Sequence, residues 1–114
     1  AERAGLLLIA CASESFERNG KPNAWAWHDV GLATAQLILQ AESMGLRAHA
    51  MAGFDPDKAR ELLAIPEGVT PVSALAVGYS GDTDKLDEGQ QQREAAPRQR
   101  RSLGEIAFPG SMPR

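Results

Sequence analysis

The arginine-rich run Arg98-Gln99-Arg100-Arg101 stands out in a chain whose formal charge is −3. A guanidinium fork matches two phosphate oxygens at once. Two arginines two apart in an extended segment can therefore project to one side of it and grip one anion. By composition alone such a run is more often a solvated stretch of charge. A second candidate is Met51-Ala52-Gly53, between a short strand and a helix start. Small residues there let a ligand approach the backbone, and free N–H groups can donate to it. The plainer reading is a strand-to-helix turn that needs a glycine. His28-Asp29 has the makings of an acid/base pair, although a helix cap beside an exposed imidazole is the commoner arrangement. His49 alternates with Ala48 and Ala50, as a surface or packed histidine in a strand does. Cys11 lies in apolar sequence and reads as an inert thiol. No Ser/His/Asp pattern, phosphate loop or glycine-rich dinucleotide fingerprint is present. One cysteine and two separated histidines offer no metal-ligand set.

The bulk numbers narrow the class. At 114 residues, 43% of them apolar, the chain suits one small soluble domain with a modest core. No apolar run reaches the roughly 18 residues of a membrane span. The run from Gly5 to Ala12 is short and lacks a signal-peptide cleavage pattern. A single cysteine permits no internal disulfide and fits a reducing, cytoplasmic compartment. The mild acidity argues against a general nucleic-acid binder.

The elements that must position the candidates are legible. Ala4 to Ala12 is a continuous apolar run, as in a strand covered on both faces, though a buried helix has the same pattern. Ser13 to Asn23 is a surface loop with a tight turn at Asn19-Gly20. Trp27 to Leu46 reads as one helix that is apolar nearly all round. Val30, Ala33, Leu37, Ala41 and Met44 mark one face, and Leu32, Ala35, Leu39 and Leu46 a second. Such a helix is buried on most sides. The rest of so short a chain would struggle to cover it, so a second subunit is expected to share it. Asp29 falls at its cap or first turn, and Gly45 is placed to end it. Arg47 to Met51 reads as a strand. Asp55-Pro56 opens a helix through Ala64, with Leu62, Leu63 and Ile65 on its buried side and Pro66 as its stop. Pro71 to Tyr79 is another strand. Residues 80–97 are polar, with a short helix between Asp87 and Ala95, and the tail to Arg114 reads as loose. The order β, α, β, α, β is α/β or α+β. Because the chain lacks an initial Met and opens almost directly into a strand, it reads as a fragment or truncated product.

Three stretches carry a resemblance that the residues alone do not supply. WAWHDVGLATAQLILQAESMGLRAHAMAGFDPDKARELLAIPEG, PVSALAVGYSGD and PRQRRSLGEIAF, in that order, resemble the nitroreductase family of flavin enzymes. The likeness matches the C-terminal portion of such proteins. Their N-terminal region, with an Arg-rich helix start that grips the flavin phosphate, has no counterpart in the sequence. The resemblance implies a single partial domain over 1–114, in an α+β fold with a central, mostly antiparallel sheet flanked by helices. It implies a homodimer with the helix over Val30–Leu46 in its core, and FMN in clefts at the subunit interface. Ala50, Met51, Ala52 and Gly53 would run along the isoalloxazine, with a backbone N–H of Ala52 or Gly53 facing N5 and O4. The family often has Pro at the position of Ala50 and in some members Glu at that of Ala52. Arg98 and Arg100 would reach the FMN phosphate.

The activity implied is ping-pong. NAD(P)H delivers hydride to the flavin, and a nitro compound, quinone or related small-molecule acceptor then takes the electrons. The cofactor carries the chemistry, so no catalytic side chain is implied. The alternative is a non-catalytic remnant that keeps the dimer helix but cannot hold FMN alone. On either reading, the missing N-terminal half is a possible partner.

Overall fold

The computed structural model describes residues 4–112, so the last two residues of the tail lie outside it. The elements run β1 (Leu6–Ser13), α1 (Ala26–Ser43), β2 (Arg47–Met51), α2 (Pro56–Leu63), β3 (Val69–Gly78) and α3 (Glu88–Ala95). Two short 3-10 turns, Thr83–Lys85 and Leu103–Glu105, flank α3 in sequence. The chain divides into two compact units, one ending at Ser80 and the other beginning at Gly81.

In the first unit β3 is the central strand, and β1 and β2 pair with it from either side, both antiparallel. The sheet is therefore antiparallel and the class α+β. Leu8 and Ala50 both lie opposite Leu75, and Ile9 and Met51 both lie opposite Ala74. Residues directly opposite share a sheet face. Leu8, Leu75 and Ala50 thus belong to the face beneath α1, and Ile9, Ala74 and Met51 to the face that carries α2. The register slips between Ala10 and Cys11, which pair with Ser73 and Pro71. A bulge there suits Pro71, which has no N–H for the ladder. The strand consequently runs two residues further upstream than a reading that starts it at the proline.

The ends of α1 follow local chemistry. Trp25 precedes it without a side-chain cap bond, and Asp29 lies in the first turn, complementing the helix dipole. At the far end Gly45 takes φ 76°. The N–H of Leu46 donates to the carbonyl of Ala41 at 2.9 Å and that of Gly45 to Glu42 at 3.0 Å. This double closure is the Schellman motif that a left-handed glycine permits. Beyond it Arg47 pairs with Glu42 and donates through Nε to the Ser80 hydroxyl at 3.2 Å, tying the helix end to the end of β3.

The covered stripe of α1 is Ala26, Val30, Thr34, Ile38 and Ala41. Ala33, Leu37 and Met44 are exposed, which corrects their place on the buried face. Met44 caps the helix, and Leu46 sits past the glycine turn, half-buried. Leu32 and Leu39 remain 52% and 70% exposed within the single chain. The buried core is small: Ala12, Ala26, Ala41, Ala74, Leu75 and Val77, with Pro71 beside them.

For α2, the Asp55 carboxylate accepts from the Lys58 N–H at 2.9 Å and Pro56 opens the first turn. The helix stops at Leu63 because Ala64 turns left-handed, φ 50°, ahead of Pro66. Arg60 holds the connection to β3 by donating to the carbonyls of Ile65 (3.1 Å), Pro66 (2.7 Å) and Val69 (2.7 Å). Leu62 and Leu63 are 71% and 59% exposed, so they are not a buried side within this chain.

Candidate functional site

The stretch Ala50-Met51-Ala52-Gly53 is fixed from upstream by the sheet and from downstream by the α2 cap. Ala50 and Met51 are the last residues of β2, opposite Leu75 and Ala74 of the central strand. The backbone then folds back so that the Phe54 N–H donates to the Ala52 carbonyl at 3.0 Å, a three-residue turn. Ala52 and Gly53 are exposed. Among the described residues, neither donates its N–H to a protein acceptor. A Cβ built on Gly53 would meet nothing within 4 Å. The strand end therefore offers two consecutive, sterically open backbone donors. Ala52 and Gly53 precede the Asp55 cap, so these donors belong to the loop and not to the helix terminus.

Arg98 and Arg100 lie in the second unit, in an exposed segment without regular structure between α3 and the turn at Leu103–Glu105. Arg100 donates to the Gln99 carbonyl at 3.2 Å. The segment has a firm boundary on each side. Upstream, Asp87 caps α3 through the Gln90 N–H at 2.8 Å. Downstream, the Glu105 carboxylate accepts from the Ser102 hydroxyl (2.7 Å) and N–H (2.8 Å). These bonds, the hydroxyl's first, hold the Glu105 carboxyl below its ordinary value. Four of the six candidate residues are thus brought together by one strand end, and the other two share a segment of the separate unit.

The remaining candidates take their plainer roles. His28 is exposed, 3.4 Å from the Asp29 carboxylate, and packs edge-on against Trp25 with ring centroids 6.0 Å apart. His49 is exposed on β2. Cys11 is half-buried, its thiol 3.7 Å from the Ile9 carbonyl. Among the described residues no group of His, Cys, Asp and Glu is placed to hold a metal ion. No described helix is long and apolar enough to cross a membrane. Two features escaped the sequence reading. The Ser102-x-x-Glu105 capping box had a readable signature. Arg60 had none, because its acceptors are carbonyls of a loop whose path only the fold sets.

The profile of the nitroreductase family matches residues 1–79. An uncharacterised 15.4 kDa protein in the ask 5′ region of Mycolicibacterium smegmatis is 38% identical over 110 residues, which cover 96% of this chain and 73% of that one. Among solved structures, an FMN-containing oxidoreductase superposes with a TM-score of 0.88 at 31% identity, over 96% of this chain and 57% of its own. A nitroreductase family protein of Clostridium difficile 630 gives a TM-score of 0.68 at 25% identity, over 96% and 62%. The fold is therefore nitroreductase-like and α+β, as the sequence resemblance implied. The chain belongs to the nitroreductase family. It spans about three-fifths of the length of these two structures.

Proposed function

We propose that the chain forms part of an FMN-dependent NAD(P)H oxidoreductase of the nitroreductase type. The observation that carries this reading is the pair of open N–H groups at Ala52 and Gly53, fixed at the end of β2 in a chain of this family. Donors of that kind suit the N5–O4 edge of an isoalloxazine, and the small side chains at Ala50, Ala52 and Gly53 leave room for a flat ring. Met51 directs its half-buried side chain to the α2 face and contributes through its backbone. Bound FMN supplies two-electron transfer from NAD(P)H to a nitro, quinone or related acceptor. The protein's part is to orient the ring and to place donors where negative charge grows as it is reduced. Arg98 and Arg100 serve the phosphate as a pair of forks.

The exposed stripe Leu32, Ala35 and Leu39 of α1 is assigned to a homodimer. The three are spaced i, i+3 and i+7, one face of the helix, and are uncovered within the chain. Leu39→Glu should leave the secondary structure intact, since Leu39 is 70% exposed, and convert dimer to monomer in sedimentation. A variant that remains dimeric removes this face from the interface. The compartment proposed is the cytoplasm.

The purified chain, titrated with FMN and followed by its visible spectrum and by quenching of free-flavin fluorescence, tests the central reading. Saturable binding supports it. A second reading has its own support: the chain spans only 57% of the FMN-containing oxidoreductase. On that reading the chain is a single partial domain that stays colourless by itself, and no saturable binding is seen.

A further inference from the structure

The outer face of α1 carries a pattern that is its own complement when reversed. His28, Leu32, Ala35, Leu39 and Glu42 follow spacings of 4, 3, 4 and 3 residues, and all of them are exposed. At 3.6 residues per turn they lie roughly 140° round the helix from the centre of its covered stripe. A leucine stands on each side of a small residue, with a hydrogen-bond donor at one end and a carboxylate at the other. His28 and Glu42 are each seven residues from Ala35, about 10 Å along the axis, and within about 20° of its line.

A two-fold dimer needs such a surface, because the same patch meets itself across the axis. Two orientations are open to it. If the helices run parallel, His28 faces the partner's His28 and Glu42 faces the partner's Glu42. If they run antiparallel with the axis at Ala35, Leu32 meets the partner's Leu39 and His28 meets the partner's Glu42. Opposed helix dipoles favour the second arrangement as well. At the shallow crossing of about 20° common between packed helices, groups 10 Å from the axis fall only about 4 Å out of line, within side-chain reach. The neighbours on the same chain leave atoms for the contact. Asp29 lies against Nδ1 of His28, and Arg47 pairs with Oε1 of Glu42, so Nε2 and Oε2 are the atoms that meet.

We infer that a second copy of this chain packs antiparallel on α1 with the two-fold at Ala35, and that His28 donating to the partner's Glu42, once on each side, sets orientation and register. The inference rests on the reading of α1 as the dimer helix and adds which way the partner lies and what fixes it.

Sedimentation equilibrium of the full chain reads the dissociation constant of the dimer. His28→Glu alone and Glu42→Lys alone should each raise it by about tenfold or more, since every substitution acts twice across a two-fold. The double variant restores opposite charges between protomers and should return to within about threefold of the parent. Contacts with Asp29 and Arg47 are lost in the double variant too, so only a contact between protomers accounts for its rescue. A double variant weaker than either single one overturns the inference, because parallel helices then bring like charges together. Indifference to all three, in a dimer that Leu39→Glu still splits, overturns the inference and leaves the dimer reading standing. A parent that is monomeric throughout ends both. Where a charged variant fails to fold, single cysteines in a Cys11→Ser background keep the test open to refutation. Refolded together and treated with a short bis-maleimide, His28→Cys and Glu42→Cys should link to each other and not to themselves. Self-linking of either, or no link in the mixture, overturns the inference.

Discussion

The two ends proposed to hold FMN differ in how the chain fixes them. Ala50 to Gly53 is bland in side-chain chemistry but tightly placed, by two cross-strand pairs on one side and a capped helix on the other. Arg98 and Arg100 are chemically expressive, yet they lie in an exposed irregular segment bounded by a helix cap and a capping box. On this proposal one end would work by position and the other by charge. Backbone donors are useful only if the fold aims them, whereas a guanidinium on a flexible stem can find its partner from several starting points. Damage to the fold should therefore cost the first end most, and damage to side chains the second.

The largest effect is expected at the strand that places the backbone end. Leu75 is 2% exposed and lies opposite both Leu8 and Ala50. Leu75→Ala should cost about 2–5 kcal/mol, as buried leucine truncations do. That is a large share of the roughly 5–15 kcal/mol that holds a small domain together. Denaturant unfolding followed by circular dichroism reads it directly. A loss under 1 kcal/mol would mean that the sheet does not depend on this side chain.

Next comes the charged end. The double replacement Arg98→Ala and Arg100→Ala removes two charge-assisted contacts, each worth roughly 1.5–3 kcal/mol when formed. FMN affinity should fall more than tenfold while the unfolding midpoint stays put, because both residues are exposed. Unchanged affinity would detach the arginines from the phosphate. A shifted midpoint would make them structural instead.

A finer probe separates place from chemistry at the backbone end. A methyl group at Gly53 meets no protein atom within 4 Å, so Gly53→Ala should leave stability within about 0.5 kcal/mol. If a flavin edge lies against this loop, the same methyl group stands between ring and backbone and weakens FMN binding severalfold in titration. Equal affinity in the variant and the parent would move the ring elsewhere.

This contrast also explains what could be read before any coordinates. The run Arg47 to Met51 was recognisable as a strand, and Asp55-Pro56 as a helix start, because each follows from local propensity. The helix after Trp25 was recognisable for the same reason, and Gly45 as its stop. What stayed illegible was whatever depends on a distant partner. The start of β3 at Val69, ahead of Pro71, required the bulge opposite Cys11. The triple use of Arg60 required the loop through Ile65, Pro66 and Val69 to lie beside it. The helical pattern also assigned Leu62 and Leu63 to a buried side. The periodicity was sound, but they stay 71% and 59% exposed among the described residues. The candidate site divides along the same line. By type the arginines could grip an anion, although composition favoured a solvated run of charge, while Ala52 and Gly53 had no side-chain signal beyond their small size. The family resemblance is what tied both candidates to FMN.

The smallest expected effect concerns how firmly the arginine segment is bounded. Glu105 accepts from the hydroxyl and the N–H of Ser102, and both bonds favour the ionised carboxylate. Its proton affinity in the folded state is therefore below the ordinary value of 4.5. A depressed carboxyl stabilises the turn fully above its unfolded value. That contribution fades as the pH falls through the lower, folded one. The Ser102 amide resonance, followed by NMR from neutral to acid pH, should hold its folded position past 4.5 and move only below it. In Glu105→Gln the acid-dependent movement should vanish. Since Glu105 is solvent-exposed, the change should remain confined to the turn and leave the sheet untouched. A Ser102 amide that titrates at the ordinary glutamate value would show that the capping box does not persist in solution. The arginine segment would then be free at its downstream end, and the contrast between a placed end and a charged end would become sharper still.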